Sequence, residues 1–137
     1  MQKITITALC LFLITCTAGC NQSNPVTLEN MKKALINAGY IVNEYYYELY
    51  RPKEDSINSI GGFSFVFPGA HGNVMTPVLE FKDNASAETH AAIINSNDNF
   101  LAITNDTFLT IAHVHDGIPY ENEQKFLENL LNGRAIN

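Results

Sequence analysis

Two short apolar runs, Phe100-Leu101-Ala102-Ile103-Thr104 and Phe108-Leu109-Thr110-Ile111-Ala112, are separated only by Asn105-Asp106-Thr107. Each run is too short for a stable helix and rich in aromatic and β-branched residues, and the link is made of turn formers, so the segment predicts a β-hairpin. A second pair has the same character. Phe63-Ser64-Phe65-Val66-Phe67 alternates, with its phenylalanines on one face, and Val78-Leu79-Glu80-Phe81-Lys82 follows with Leu79 and Phe81 inward. Between them Pro68-Gly69-Ala70-His71-Gly72-Asn73 is dense in turn residues and Pro77 closes the stretch, which predicts a hairpin with a long tip. Links this short cannot carry a parallel crossover, so the sheet they build is mainly antiparallel.

The remaining segments read as helices and one further strand. Thr27 can cap a helix with Leu28, Met31, Leu35 and Ala38 at helical spacing, and Gly39 stops it. Tyr40 to Tyr50 reads as a strand with Ile41, Tyr45, Tyr47 and Leu49 on its more apolar face; a helix through Glu44 to Tyr50 is the alternative. Arg51 to Ser59 is polar and opens with Arg51-Pro52, the composition of a loop. Asp83 to Glu88 starts a helix with Ala87, Ala91 and Ile94 on one face, ending around Asn95-Ser96-Asn97. Glu121, Glu123, Phe126, Leu127, Leu130 and Leu131 build an amphipathic last helix with acids at its start and Gly133 after it. The order is α-β-β-β-α-β-β-α. It predicts an α+β fold, a mainly antiparallel sheet with the helices packed on one face.

The N-terminal stretch has a different character. Lys3, an apolar run ending Leu9-Cys10-Leu11-Phe12-Leu13-Ile14, and small residues leading to a cysteine follow the plan of a secretory signal. Thr17-Ala18-Gly19-Cys20 resembles the processing box of bacterial lipoproteins. That resemblance implies cleavage before Cys20 by signal peptidase II, a diacylglycerol on the Cys20 thiol, and a third acyl chain on the new amino terminus. Asn21 is not the aspartate that the resemblance would link to inner-membrane retention, so the outer membrane is implied for a diderm cell. An ordinary secreted protein is the alternative, since Cys16-Thr17-Ala18 also offers a small-x-small cleavage site. The organisation read from the chain is a signal peptide over 1–19, a lipidated tether over 20–26 and one globular domain over 27–137, near the common domain size.

Charge narrows the function classes. The formal net charge is −6, and removal of the leader takes away only Lys3, moving it to −7. The basic residues Lys32, Lys33, Arg51, Lys53, Lys82, Lys125 and Arg134 are scattered, which disfavours a nucleic-acid partner. Cys10 and Cys16 leave with the leader and no pair remains for a disulfide, so the domain must be held by its core.

Motifs that carry chemistry are few. His113 and His115 stand at i and i+2, which places both imidazoles on one face of a strand, where they could hold a metal if a third ligand approached. His71 and His90 are the other imidazole donors. Tyr46 and Tyr50 lie opposite Tyr45 and Tyr47 on a strand and would present exposed rings to a protein or polymer of the envelope; the Pro68–Asn73 tip, with His71, is the second contact of that kind. There is no Gly-x-Ser-x-Gly elbow, no His-Glu-x-x-His and no phosphate loop, and Cys20 is no nucleophile once acylated. Ser64, His71 and Asp83 supply the residue types of a hydrolytic triad, but no spacing joins them. The sequence therefore points to an envelope lipoprotein with a non-catalytic binding domain and no cofactor, its partners being the membrane through Cys20 and an envelope protein or polymer. A metal- or ligand-binding protein using His113 and His115 is the second reading, and an enzyme of unrecognised type the third.

Overall fold

A computed structural model describes residues 25–44, 59–69, 72–116 and 118–136. They form α1 (Leu28–Asn37), β1 (Val42–Asn43), β2 (Ser59–Gly69), β3 (Gly72–Phe81), α2 (Asn84–Asn95), β4 (Phe100–Asn105), β5 (Phe108–His115), β6 (Ile118–Pro119) and α3 (Glu121–Leu131). The fold is α+β in the order expected from the sequence, with the two-residue β6 added. Every strand pairing is antiparallel, the sheet order is β1-β2-β3-β5-β4, and β6 pairs with the end of β5.

Local chemistry sets the element ends. Thr27 caps α1 through its hydroxyl, which accepts the Asn30 N–H at 3.1 Å. At the other end Gly39 takes φ +88°, its N–H donates to Ile36 O and the Tyr40 N–H donates to Leu35 O, the paired bonds of a Schellman stop. Ala38, expected on the apolar stripe, is instead the exposed C-cap. Asp83 caps α2 by accepting the Ser86 N–H at 2.7 Å, and the Ser86 hydrogen bonds with neighbouring Lys82 hold its carboxyl below the usual range. Gly133 (φ +63°) and Arg134 close α3 as Gly39 and Tyr40 close α1, donating to Leu130 O and Asn129 O.

Both hairpins form. In β4–β5 the register runs from Asn105↔Phe108 to Phe100↔His113, and Asp106 accepts the left-handed φ of 53° that the tight link requires. The β2–β3 tip is shorter than expected, because pairing continues through Phe67↔Val74, Pro68↔Asn73 and Gly69↔Gly72. Pro77 is tolerated inside β3 for a geometric reason. Its carbonyl faces β5, where it accepts the Thr110 hydroxyl at 2.7 Å, so the missing N–H lies on that side and takes nothing from the β2–β3 ladder.

Alternation divides the core into two layers. On one face Phe63, Phe65, Val78, Phe108 and Ala112 pack against Met31 and Leu35 of α1 and Phe126, Leu127, Leu130 and Leu131 of α3. Tyr40, Phe65, Phe67 and Phe126 form an aromatic cluster there, with Tyr40–Phe126 and Phe67–Phe126 centroids 5.1 Å apart. On the opposite face Leu79, Phe81 and Leu109 pack against Ala87 and Ala91 of α2. The expectation that all helices share one face thus holds for α1 and α3 and fails for α2. The cause lies in the central strands: Val78 and Leu79, and Phe108 and Leu109, are apolar on both sides, so both sheet faces need a cover.

The strand expected over Tyr40–Tyr50 is described only in part. β1 covers Val42 and Asn43, and residues 45–50 lie outside the described residues. Ile41, expected inward, is 68% exposed, because Val42 is the residue that pairs with Phe65 and leans on the core.

Candidate functional site

On the α2 side of the sheet the helix covers only part of the surface, and a groove of about 410 Å³ remains between its C-terminal half and the strands. Met75, Pro77 and Leu79 of β3 and Ile111 of β5 form its floor; Ile93 and Ile94 of α2 form its wall. All these strand residues share one face by the period-2 rule, the face that carries Leu79 and Leu109. The polar members are His90 on α2, Asn97 in the α2–β4 link, and His113 on β5, where Phe100 lies opposite across the β4–β5 pair. No Lys, Arg, Asp or Glu side chain is among the described residues that line it.

His113 is held from behind. Oε1 of Glu123 lies 3.0 Å from its Nδ1 and also accepts its backbone N–H at 3.2 Å, while the Phe100 ring meets the imidazole edge-on at 5.7 Å. Glu123 is 2% exposed and stands in the first turn of α3, where the helix dipole favours a negative charge. With Nδ1 donating to that carboxylate, Nε2 of the neutral ring is left as an acceptor. The sequence placed Glu123 among acids that merely stabilise a helix start; it is in fact buried against β5.

His90 is the second imidazole. It is 7% exposed, its ring tilts against Phe81 at a centroid distance of 5.3 Å, and its Nδ1 is sealed from solvent without a hydrogen-bond partner. Burial pushes its pKa below the ordinary value, because the charged form would lose its hydration. With Nδ1 sealed, Nε2 is the ring nitrogen through which His90 can meet a ligand. Asn97 adds an amide whose Oδ1 already accepts the Asn99 N–H at 3.0 Å, which leaves its NH2 as the donor.

The sequence-derived residues separate. His113 and His115 share a strand face as their spacing predicts, but His113 turns to Glu123 whereas exposed His115 has its Nδ1 3.2 Å from Asp116 Oδ2. Among the described residues no group of three His, Cys, Asp or Glu side chains is placed to hold a metal ion. The Ser64 hydroxyl donates to Asn43 O and the Asp83 carboxylate is engaged by Ser86, so these two members of the imagined triad serve local structure. Cys20, Tyr46, Tyr50 and His71 lie outside the described residues.

What the sequence reading missed was legible as spacing. Ala87, His90, Ala91 and Ile94 occupy the i, i+3, i+4, i+7 positions of one helical face, as do Glu123, Phe126, Leu127 and Leu130. A polar residue on an apolar stripe is buried with the stripe. Comparison of the chain with protein-family models, with curated proteins and with solved structures gives no match. No helix among the described residues is long and apolar enough to cross a membrane.

Proposed function

We propose that this chain is a lipid-anchored protein of the bacterial cell envelope whose globular domain is a non-catalytic binding module, with a small ligand as its partner in the groove beside α2. The anchor rests on the resemblance of Thr17-Ala18-Gly19-Cys20 to the lipoprotein box. One observation carries the binding reading: a groove of about 410 Å³, lined by Met75, Leu79, Ile94 and Ile111, presents a few convergent polar groups and, among the described residues, no Lys, Arg, Asp or Glu side chain. That combination, apolar walls with few placed polar groups, is the usual chemistry of small-molecule sites. None of the described lining residues is a Ser, Cys, Thr or Lys that could attack a substrate.

Two measurements test the proposal. For the anchor, Cys20→Ser is expected to move the protein from the membrane to the soluble fraction and abolish lipid labelling; continued membrane retention with unchanged labelling overturns it. For the groove, the apolar fluorophore N-phenyl-1-naphthylamine is titrated into the full chain carrying Cys20→Ser. Saturable enhancement is expected, weakened by about tenfold or more in Ile93→Asp. That substitution places a charge on the rim at a residue already 51% exposed, so the fold is retained. Absence of saturable binding, or binding indifferent to Ile93→Asp, overturns the groove reading.

A further inference from the structure

The groove's electrostatics restrict what it can hold, and the inference drawn from them rests on the binding reading above. A carboxylate entering it would meet no Lys or Arg among the described lining residues, inside a chain of net charge −6 and with the buried Glu123 carboxylate directly behind His113. An ammonium ion would meet no carboxylate on the lining, since Glu123 is screened by the imidazole it holds. Either ion would leave water without a Lys, Arg, Asp or Glu side chain on the described lining to pair with, which is a costly way to fill an apolar site. The polar groups that do face the groove are imidazoles and an amide, and they include both donors and acceptors. Nε2 of His113 accepts while Nδ1 is committed to Glu123, and the Asn97 amide donates while its oxygen is committed to Asn99. Of the other lining residues, Met75, Leu79, Ile94 and Ile111 are apolar.

We propose that the groove selects an uncharged amphiphile: an apolar chain lying along β3 and β5, ending in a hydroxyl or primary amide that donates to Nε2 of His113 and accepts from Asn97. Glu123 is then a positioning residue, fixing the imidazole's orientation and its tautomer from the side away from the ligand.

Four probes with one chain and different heads test this: octan-1-ol, octanamide, octanoate and octylammonium. Each displaces N-phenyl-1-naphthylamine from the full chain carrying Cys20→Ser at about pH 8, where ordinary imidazoles are neutral. The alcohol and the amide are expected to displace the dye at concentrations at least about tenfold lower than the two ions, and that preference is expected to shrink in His113→Phe. If His113→Phe fails to fold, the ranking of the four probes on the parent chain decides alone. Equal displacement by all four, a preference for either ion, or no displacement by any of them overturns the inference while the groove reading stands. Failure of the dye itself to bind overturns the groove reading and this inference together.

Discussion

A single carboxylate oxygen, Oε1 of Glu123, accepts both the backbone N–H and the imidazole Nδ1 of His113, at 3.2 and 3.0 Å. The contact joins the first turn of α3 to β5 across the end of the sheet, and it couples the docking of a helix to the orientation of a groove residue. Replacing Glu123 by Ala leaves two donors of His113 without that acceptor. The expected loss is about 1–3 kcal/mol, seen as a fall in melting temperature on the order of 10 °C for a domain of this size. Glu123→Gln keeps an acceptor oxygen and is expected to lose less. Thermal unfolding of the two variants side by side checks this, and equal losses would show that the charge rather than the accepted hydrogen bonds matters.

His90 makes stability depend on pH in a defined window. Its pKa is lowered in the folded state, whereas the unfolded chain binds a proton near the ordinary value of 6.5. Above that value neither state is protonated there and the contribution is fully present. As pH falls below it the unfolded state takes up the proton first, so stability declines toward the lowered native pKa. Urea midpoints measured from about pH 8 down to about pH 5.5 are expected to be flat and then fall. His90→Leu is expected to flatten this component of the decline; an unchanged slope in His90→Leu would assign it to other groups.

Phe65 has no exposure and contacts Tyr40, Phe67 and Phe126 at centroid distances of 6.0, 6.5 and 6.1 Å. Phe65→Ala is expected to cost about 3–5 kcal/mol through lost burial and a cavity at the centre of the cluster. Phe65→Leu retains much of the volume and is expected to cost well under that. Denaturant unfolding of both measures the difference, and equal losses would mean that the aromatic contacts dominate over volume.

Gly39 stands at φ +88°, and a Cβ added there would meet no atom within 4 Å, so its backbone conformation is the whole of its constraint. Gly39→Ala is expected to destabilise by about 1 kcal/mol, and Gly39→Asn by less, because Asn tolerates the left-handed region better. A stability ranking by urea unfolding of Gly, then Asn, then Ala is the expected outcome.

How far the sequence could be read varied with the range of the interaction. The helix ends at Gly39 and Gly133 were legible because a left-handed stop is a property of a few adjacent residues. The Asn105–Phe108 turn was legible for the same reason. The side of the sheet on which α2 lands was not: Val78-Leu79 and Phe108-Leu109 are apolar on both sides and call for two covers, but which helix supplies each is decided by long-range packing. The histidine pair shows the limit for the site: spacing put His113 and His115 on one face, but which neighbour each imidazole meets depends on Glu123 arriving from α3 and Asp116 from the following turn.

Local pattern, by itself, determined the α+β class, the order of the elements, the two hairpins and the helix stops, because each follows from turn chemistry and from hydrophobic periods of 2 and 3.6 within one short segment. Tertiary structure alone decided the division of the core into two layers, the burial of Glu123 and His90, and the groove that His113 and Asn97 both line. These depend on segments far apart in the chain being brought to one sheet. Packing then selects which polar residues on apolar stripes are buried and what they meet, a choice that no short window of residues contains.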